Sequence, residues 1–234
     1  MDTTIEEFDY DLMPKYGTTL FVSSRASGKS VMARDMLYYF IKKRRITRYI
    51  IISATMHNSD YAFLGYGDNI IRLTDINHEI LEEITKDQRR RIEEDPDSAD
   101  LVILMDDLIK SCDQKCKDCI SRMWATMRHD FCYLIMITQS FRYECSRSVV
   151  LNSDLIILFS SRNIENKKLI SSMFLGFTDK DDRQLGYQLI DSVSQGYRAM
   201  VILNTSKSTK INEIIKKQNM LLRLDRGEII IYKS

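Results

Sequence analysis

Three continuous apolar runs, residues 101–105, 133–138 and 155–159, constrain the fold of this chain more than any other feature. A strand with one wet face alternates apolar and polar residues, whereas a strand apolar at every position needs cover on both faces. That is the situation of a parallel sheet with helices packed on either side. The segments between the runs supply such helices. Met32, Met36, Leu37 and Phe40 recur at helical spacing within 29–44, and Ile80, Leu81 and Ile84 form the apolar stripe of 77–94. Further strands are expected at 18–22, 49–53, 69–73 and 200–204, helices at 166–174 and 181–192, and a terminal edge strand at 228–232. The reading is one α/β domain over 1–234, a three-layer α/β/α sandwich around a mostly parallel central sheet. Two prolines, eight glycines and no repeat give no linker at which to divide it.

The strand at 18–22 runs into Ser23-Ser24-Arg25-Ala26-Ser27-Gly28-Lys29-Ser30. This is the phosphate-binding pattern G-x-x-x-x-G-K-[ST] with Ser23 at the first glycine position. A triphosphate needs N–H donors and positive potential without bulky side chains in the way. Gly28 permits close backbone approach, the amides from Ser24 through Val31 form the candidate cradle, and the following helix adds its N-terminal dipole. Lys29 would reach the β- and γ-phosphates, and Ser30 would offer its hydroxyl to Mg²⁺. The expected ligands are ATP and Mg²⁺.

The run 101–105 delivers Asp106 and Asp107 at its carboxyl end, the form of a Walker B segment. Asp106 is the expected metal partner, and Asp107 would orient or deprotonate the attacking water. The next buried run ends on Gln139, placed to sense the γ-phosphate if the two strands open on one sheet edge. Arg128 precedes that run and is the candidate arginine that a neighbouring subunit lends to the transferring phosphoryl group, chosen over Arg122, Arg142 and Arg147.

Lys+Arg 34 against Asp+Glu 33 gives a net charge of +1, so no global basic field points to nucleic acid. Local clusters remain as candidate DNA contacts: Lys42, Lys43, Arg44, Arg45 and Arg48; Arg89 to Arg91; and Lys207 with Lys210. An acidic start without an apolar core, and no apolar run of about 18 residues, predict a soluble, intracellular protein that is not integral to a membrane. Five cysteines without a secretion signal predict reduced thiols. Cys112, Cys116 and Cys119, with His129 and Cys132 downstream, leave open a zinc site, but a buried helix face is the better reading because no second ligand pair completes the spacing.

Taken together, Ser23 to Ser30, the apolar strand into Asp106-Asp107, Met127-Arg128-His129, and the strand into Thr138-Gln139-Ser140 resemble the FtsK/HerA superfamily of additional-strand P-loop motors. The similarity is greatest to the viral genome-packaging branch, including poxvirus-type and virophage ATPases, and Asn152-Ser153-Asp154 before the next strand fits it too. The resemblance covers about residues 18–160. It implies a hexameric or pentameric ring that drives double-stranded DNA, without sequence preference, into a preformed capsid, with a trans arginine at each subunit boundary. It also implies capsid or inner-membrane vertex proteins as partners, and a place in the virion and the virus factory of the host cytoplasm. Ser23, Ala26 and Asp107 depart from the family pattern. The alternatives are a P-loop kinase acting on a nucleoside or other small molecule, and an ATP-binding assembly scaffold with little turnover.

Overall fold

The computed structural model describes residues 5–22, 27–54, 59–108, 112–139, 145–160, 163–177, 179–195, 198–205 and 211–219. Eight strands form one sheet: β1 (Gly17–Val22), β2 (Arg48–Ser53), β3 (Ile70–Leu73), β4 (Leu101–Asp106), β5 (Cys132–Thr138), β6 (Leu155–Phe159), β7 (Arg198–Leu203) and β8 (Ile215–Asn219). Their order is β3-β2-β4-β5-β1-β6-β7-β8. The first six in that order are mutually parallel, and β7 and β8 run antiparallel to their neighbours.

Every residue of β1, β2, β4, β5 and β6 is buried, as runs without alternation require. Successive side chains still point to opposite faces, so each strand feeds two cores. Phe21, Ile51, Leu104, Ile135 and Ile157 pack with Met32, Met36, Leu37 and Phe40 of α1 (Lys29–Lys42) and with Phe8, Tyr10 and Met13 from the N-terminal segment. Leu20, Ile50, Ile103, Leu134 and Ile156 pack on the other face with Leu81 of α2 (His78–Glu94) and Trp124 of α3 (Gln114–Thr126). Ile170 and Ile190, from α5 (Ile164–Phe174) and α6 (Lys180–Ser194), extend that layer beyond α4 (Arg147–Leu151).

Each expected strand and helix lies within a few residues of its expected bounds, except the terminal strand at 228–232, which falls outside the described residues. β8 was not expected. Its sequence, Ile-Lys-Lys-Gln-Asn, lacks an apolar run because it sits near the sheet edge. There Lys216 pairs with Glu6 at 2.6 Å, and the N-terminal segment adds a bridge at Glu7 and Lys217.

The cysteine expectation needs correction. Cys112 and Cys116 are joined as a disulfide, with Cα atoms 5.4 Å apart. Cys112 lies before α3 rather than on it, next to the N-cap Asp113, whose side chain accepts from Cys116 N–H at 2.8 Å. Cys119 is buried among apolar side chains, and burial raises its thiol pKa; burial pushes the Cys132 thiol up as well. No cluster that could hold a metal through His, Cys, Asp and Glu occurs among the described residues, and Cys116 and Cys119 are buried on the apolar face of α3.

Candidate active site at the carboxyl edge of the sheet

β1 is flanked by β5 and β6, so β5 stands between the strand that leads into the phosphate loop and β4, which carries the acidic pair. The register aligns the carboxyl ends: Val22 pairs with Thr138, Asp106 with Ile137, and Ser53 with Asp106. At a strand spacing of about 4.8 Å, Asp106 lies about 10 Å across the sheet from the end of β1. A triphosphate with its cation spans such a gap.

Ser24, Arg25 and Ala26 lie outside the described residues, as does Ser23. Of the loop that follows, Gly28 adopts φ 94° and ψ 6°, a left-handed conformation that glycine takes without a Cβ penalty, and it forms the N-cap of α1. No side chain caps this helix and no acid occupies its first turn. Its leading N–H groups therefore point out of the sheet edge beside Lys29, Ser30 and Val31, an anion-binding arrangement. Ser27 Oγ is buried without a hydrogen-bond partner among the described residues, a polar atom of the kind that a phosphate oxygen satisfies.

Asp106 is 6% exposed. Its Oδ2 accepts a hydrogen bond from the Tyr61 hydroxyl at 2.9 Å. Asp107 follows at φ 55°, an uncommon left-handed conformation for a residue with a side chain, and its N–H donates to Ile137 O at 3.4 Å. Gln139 Nε2 donates to Asp107 Oδ1 at 3.3 Å. The amide at the end of β5 and the second acid after β4 thus meet directly. Behind them, Asn166 Nδ2 of α5 donates to Gln139 O at 3.2 Å and holds the strand end.

Arg128 sits elsewhere. It belongs to the 3₁₀ turn Met127–Asp130, which enters β5 at its amino end. The seven residues of β5 separate it from Gln139, about 20 Å at 3.3 Å per residue. It therefore lies far from Asp107 and Gln139 within this chain. The side chain is half exposed, and its ion pair with Asp154 is long at 4.0 Å. Of the arginines set aside, Arg122 faces Glu82 at 3.5 Å, Arg147 opens α4, and Arg142 lies outside the described residues.

Arg44 and Arg48 of the first basic cluster, and the arginines of the second, are engaged in structural pairs. Arg44 donates to Met13 O, Pro14 O and Lys15 O, tying the N-terminal segment to the end of α1. Arg48 is 4% exposed, bonded to Gln88 at 2.6 Å and paired with Asp87. Burial lowers its pKa, followed by the charge of Arg91 and against the pull of Asp87, yet a guanidinium remains charged in a protein. Arg90 and Arg91 also pair with Asp87, and Arg89 pairs with Asp130. Lys42, Lys43 and Arg45 remain exposed at the end of α1, and Lys207 and Lys210 lie outside the described residues.

Tyr61 had no sequence signal. It lies 45 residues before Asp106 in a 3₁₀ turn, and only the placement of β2 beside β4 brings the two together.

No family model matches the chain, and no curated protein matches it. Solved structures do. The genome-packaging NTPase B204 from Sulfolobus turreted icosahedral virus 2, in complex with AMPPCP, superposes with a TM-score of 0.65 at 20% identity, over 88% of this chain and 99% of that one. B204 of Sulfolobus turreted icosahedral virus, a DNA-packaging ATPase, gives 0.65 at 19% identity over 88% and 98%. The pCW3 conjugation coupling protein TcpA with ATPγS gives 0.56 at 12% identity, over 88% of this chain and 60% of that one. The chain shares the three-layer α/β fold of the B204 proteins along nearly their whole length.

Proposed function

We propose that this protein is an ATPase subunit of a ring motor that moves double-stranded DNA into a viral capsid. The observation that carries the reading is the contact between Gln139 and Asp107, made by a strand inserted between the phosphate-loop strand and the acidic strand. A small-molecule kinase has no use for that strand, whereas a hydrolase needs an amide and a carboxylate that together fix a water.

The nucleotide phosphates would lie on the N–H groups of Ser27 to Val31, with Lys29 at the β- and γ-phosphates. The hydroxyl of Ser30 and the carboxylate of Asp106 are hard oxygen donors of the type Mg²⁺ takes, and these two would hold it. Bound there, Mg²⁺ neutralises phosphate charge. Asp107 accepts a proton from the water held by Gln139, and its left-handed backbone turns the carboxylate back toward β5. Arg128, remote from its own site, serves the site of the next subunit around the ring. The B204 proteins, a packaging NTPase and a DNA-packaging ATPase, support this reading by their shared fold.

Steady-state ATP hydrolysis with and without linear double-stranded DNA tests it. Hydrolysis that rises with DNA and disappears in Lys29→Ala is expected. Turnover that Lys29→Ala leaves unchanged refutes the site, phosphate transfer to a nucleoside instead of water restores the kinase reading, and binding without turnover favours an assembly scaffold.

A further inference from the structure

We propose that Tyr61 is a positioning residue for Asp106, and that Arg72 holds it there by clamping the connection between β2 and β3. The proposal rests on reading Asp106 as the carboxylate that faces the cation. Tyr61 is 5% exposed and lies in the 3₁₀ turn Ser59–Leu64, which leaves the carboxyl edge of β2. Its hydroxyl donates to Asp106 Oδ2 at 2.9 Å. Arg72, on the edge strand β3, donates through Nη2 to Tyr61 O at 3.3 Å and to Gly65 O at 2.7 Å. The same guanidinium stacks 4.9 Å from the centre of the Tyr66 ring. One side chain therefore binds the backbone within and immediately after the turn that presents the phenol.

A phenol donating to a carboxylate makes a charge-assisted bond, which favours the ionised acid and fixes the rotation of its plane. It takes one of about four acceptor positions on the two oxygens. Such outer partners orient a metal-binding group, and their loss weakens metal binding by roughly 10- to 100-fold. Lys, Asn or water at this position would not do the same, because the phenol is delivered on a buried ring that cannot swing away.

The test is Tyr61→Phe, which keeps the ring and removes only the hydroxyl. Mn²⁺ binding is read by electron paramagnetic resonance in the presence of a non-hydrolysable ATP analogue, and affinity for the analogue alone is read in EDTA. Tyr61→Phe should weaken Mn²⁺ by about tenfold and leave metal-free analogue binding unchanged, and Arg72→Ala should move Mn²⁺ affinity in the same direction. Wild-type Mn²⁺ affinity in Tyr61→Phe overturns the proposal, as does an equal loss of both affinities, which would mark Tyr61 as packing alone. If the wild type binds Mn²⁺ no better than Asp106→Asn, the site reading itself fails and takes this proposal with it.

Discussion

Replacing Gln88 by Met should cost this fold about 3 kcal/mol, although the position is far from the nucleotide. Gln88 is fully buried on α2, and its side chain makes three hydrogen bonds. Nε2 donates to Ala99 O at 2.7 Å and to Asp130 O at 2.8 Å, and Oε1 accepts from Arg48 Nη1 at 2.6 Å. Met is unbranched and of similar volume, so the cavity contribution is small and the change isolates the polar contacts. Two neutral bonds contribute about 1 kcal/mol each, and the bond to a guanidinium about 1.5 to 3 kcal/mol. Burial of a thioether returns about 1 kcal/mol. Against a total stability of roughly 5 to 15 kcal/mol, this loss is large. Urea unfolding should show a lower midpoint at an unchanged slope. Asp130 closes the turn that carries Arg128, so the variant should also turn over more slowly with unaltered nucleotide affinity. A loss below about 1 kcal/mol would mean that water replaces Gln88 without penalty, and would refute the view that this amide locks β2, α2 and the Arg128 turn together.

Gly17→Ala should destabilise by about 1 to 3 kcal/mol, because an added Cβ would stand 2.6 Å from Pro14 Cγ and 2.7 Å from Asp154 Oδ2; an unshifted melting temperature would contradict the crowding. Asp87 is pushed up by burial but pulled further down by its bonds to Arg91 and Arg90 and the charge of Arg48, so its folded pKa lies below the ordinary carboxylate value. A depressed carboxylate stabilises above its unfolded pKa of about 3.9 and loses that contribution as pH falls through the folded value. Asp87→Asn should therefore be less stable than wild type at pH near 7, with the gap narrowing below about pH 4; melts at several pH values showing a constant gap would exclude the ion-pair origin. Arg128→Ala should bind nucleotide and fail to turn over, and mixing it with Asp107→Ala should restore part of the activity. A mixture as inactive as its parts would remove Arg128 from the neighbour's site.

The sheet was legible because burial on both faces leaves an unambiguous mark: residues 101–105, 133–138 and 155–159 carry no charged residue and no apolar–polar alternation. β8 left no such mark, since Lys216 and Lys217 are accommodated by the N-terminal segment, a contact between residues more than two hundred positions apart. The basic stretch from Lys42 to Arg48 read as one candidate DNA contact, yet its members part company. The chain turns into β2 within it, which places Arg48 beneath α2 while Lys43 stays in water. Asp106, Asp107 and Gln139 were visible as strand-end polar residues, whereas that Gln139 touches Asp107 depends on β5 lying beside β4. The order of strands in a sheet is a property of packing, and no local spacing encodes it. Tyr61 escaped notice for the same reason.

The two ends of β5 also limit how subunits can meet. Gln139 leaves one end and the Arg128 turn enters the other, on opposite edges of a sheet that is rigid because its central strands are buried on both faces. If Arg128 serves a neighbouring nucleotide, the amino edge of one subunit faces the carboxyl edge of the next. Ends that face opposite ways, about 20 Å apart, favour a head-to-tail contact over a two-fold one, in which the same two ends would meet twice side by side. The contact is then head-to-tail, and a head-to-tail contact closes only as a ring or continues as a filament. Arg128→Ala should thus abolish turnover without abolishing assembly, because the ends of the sheet and not the guanidinium define the interface.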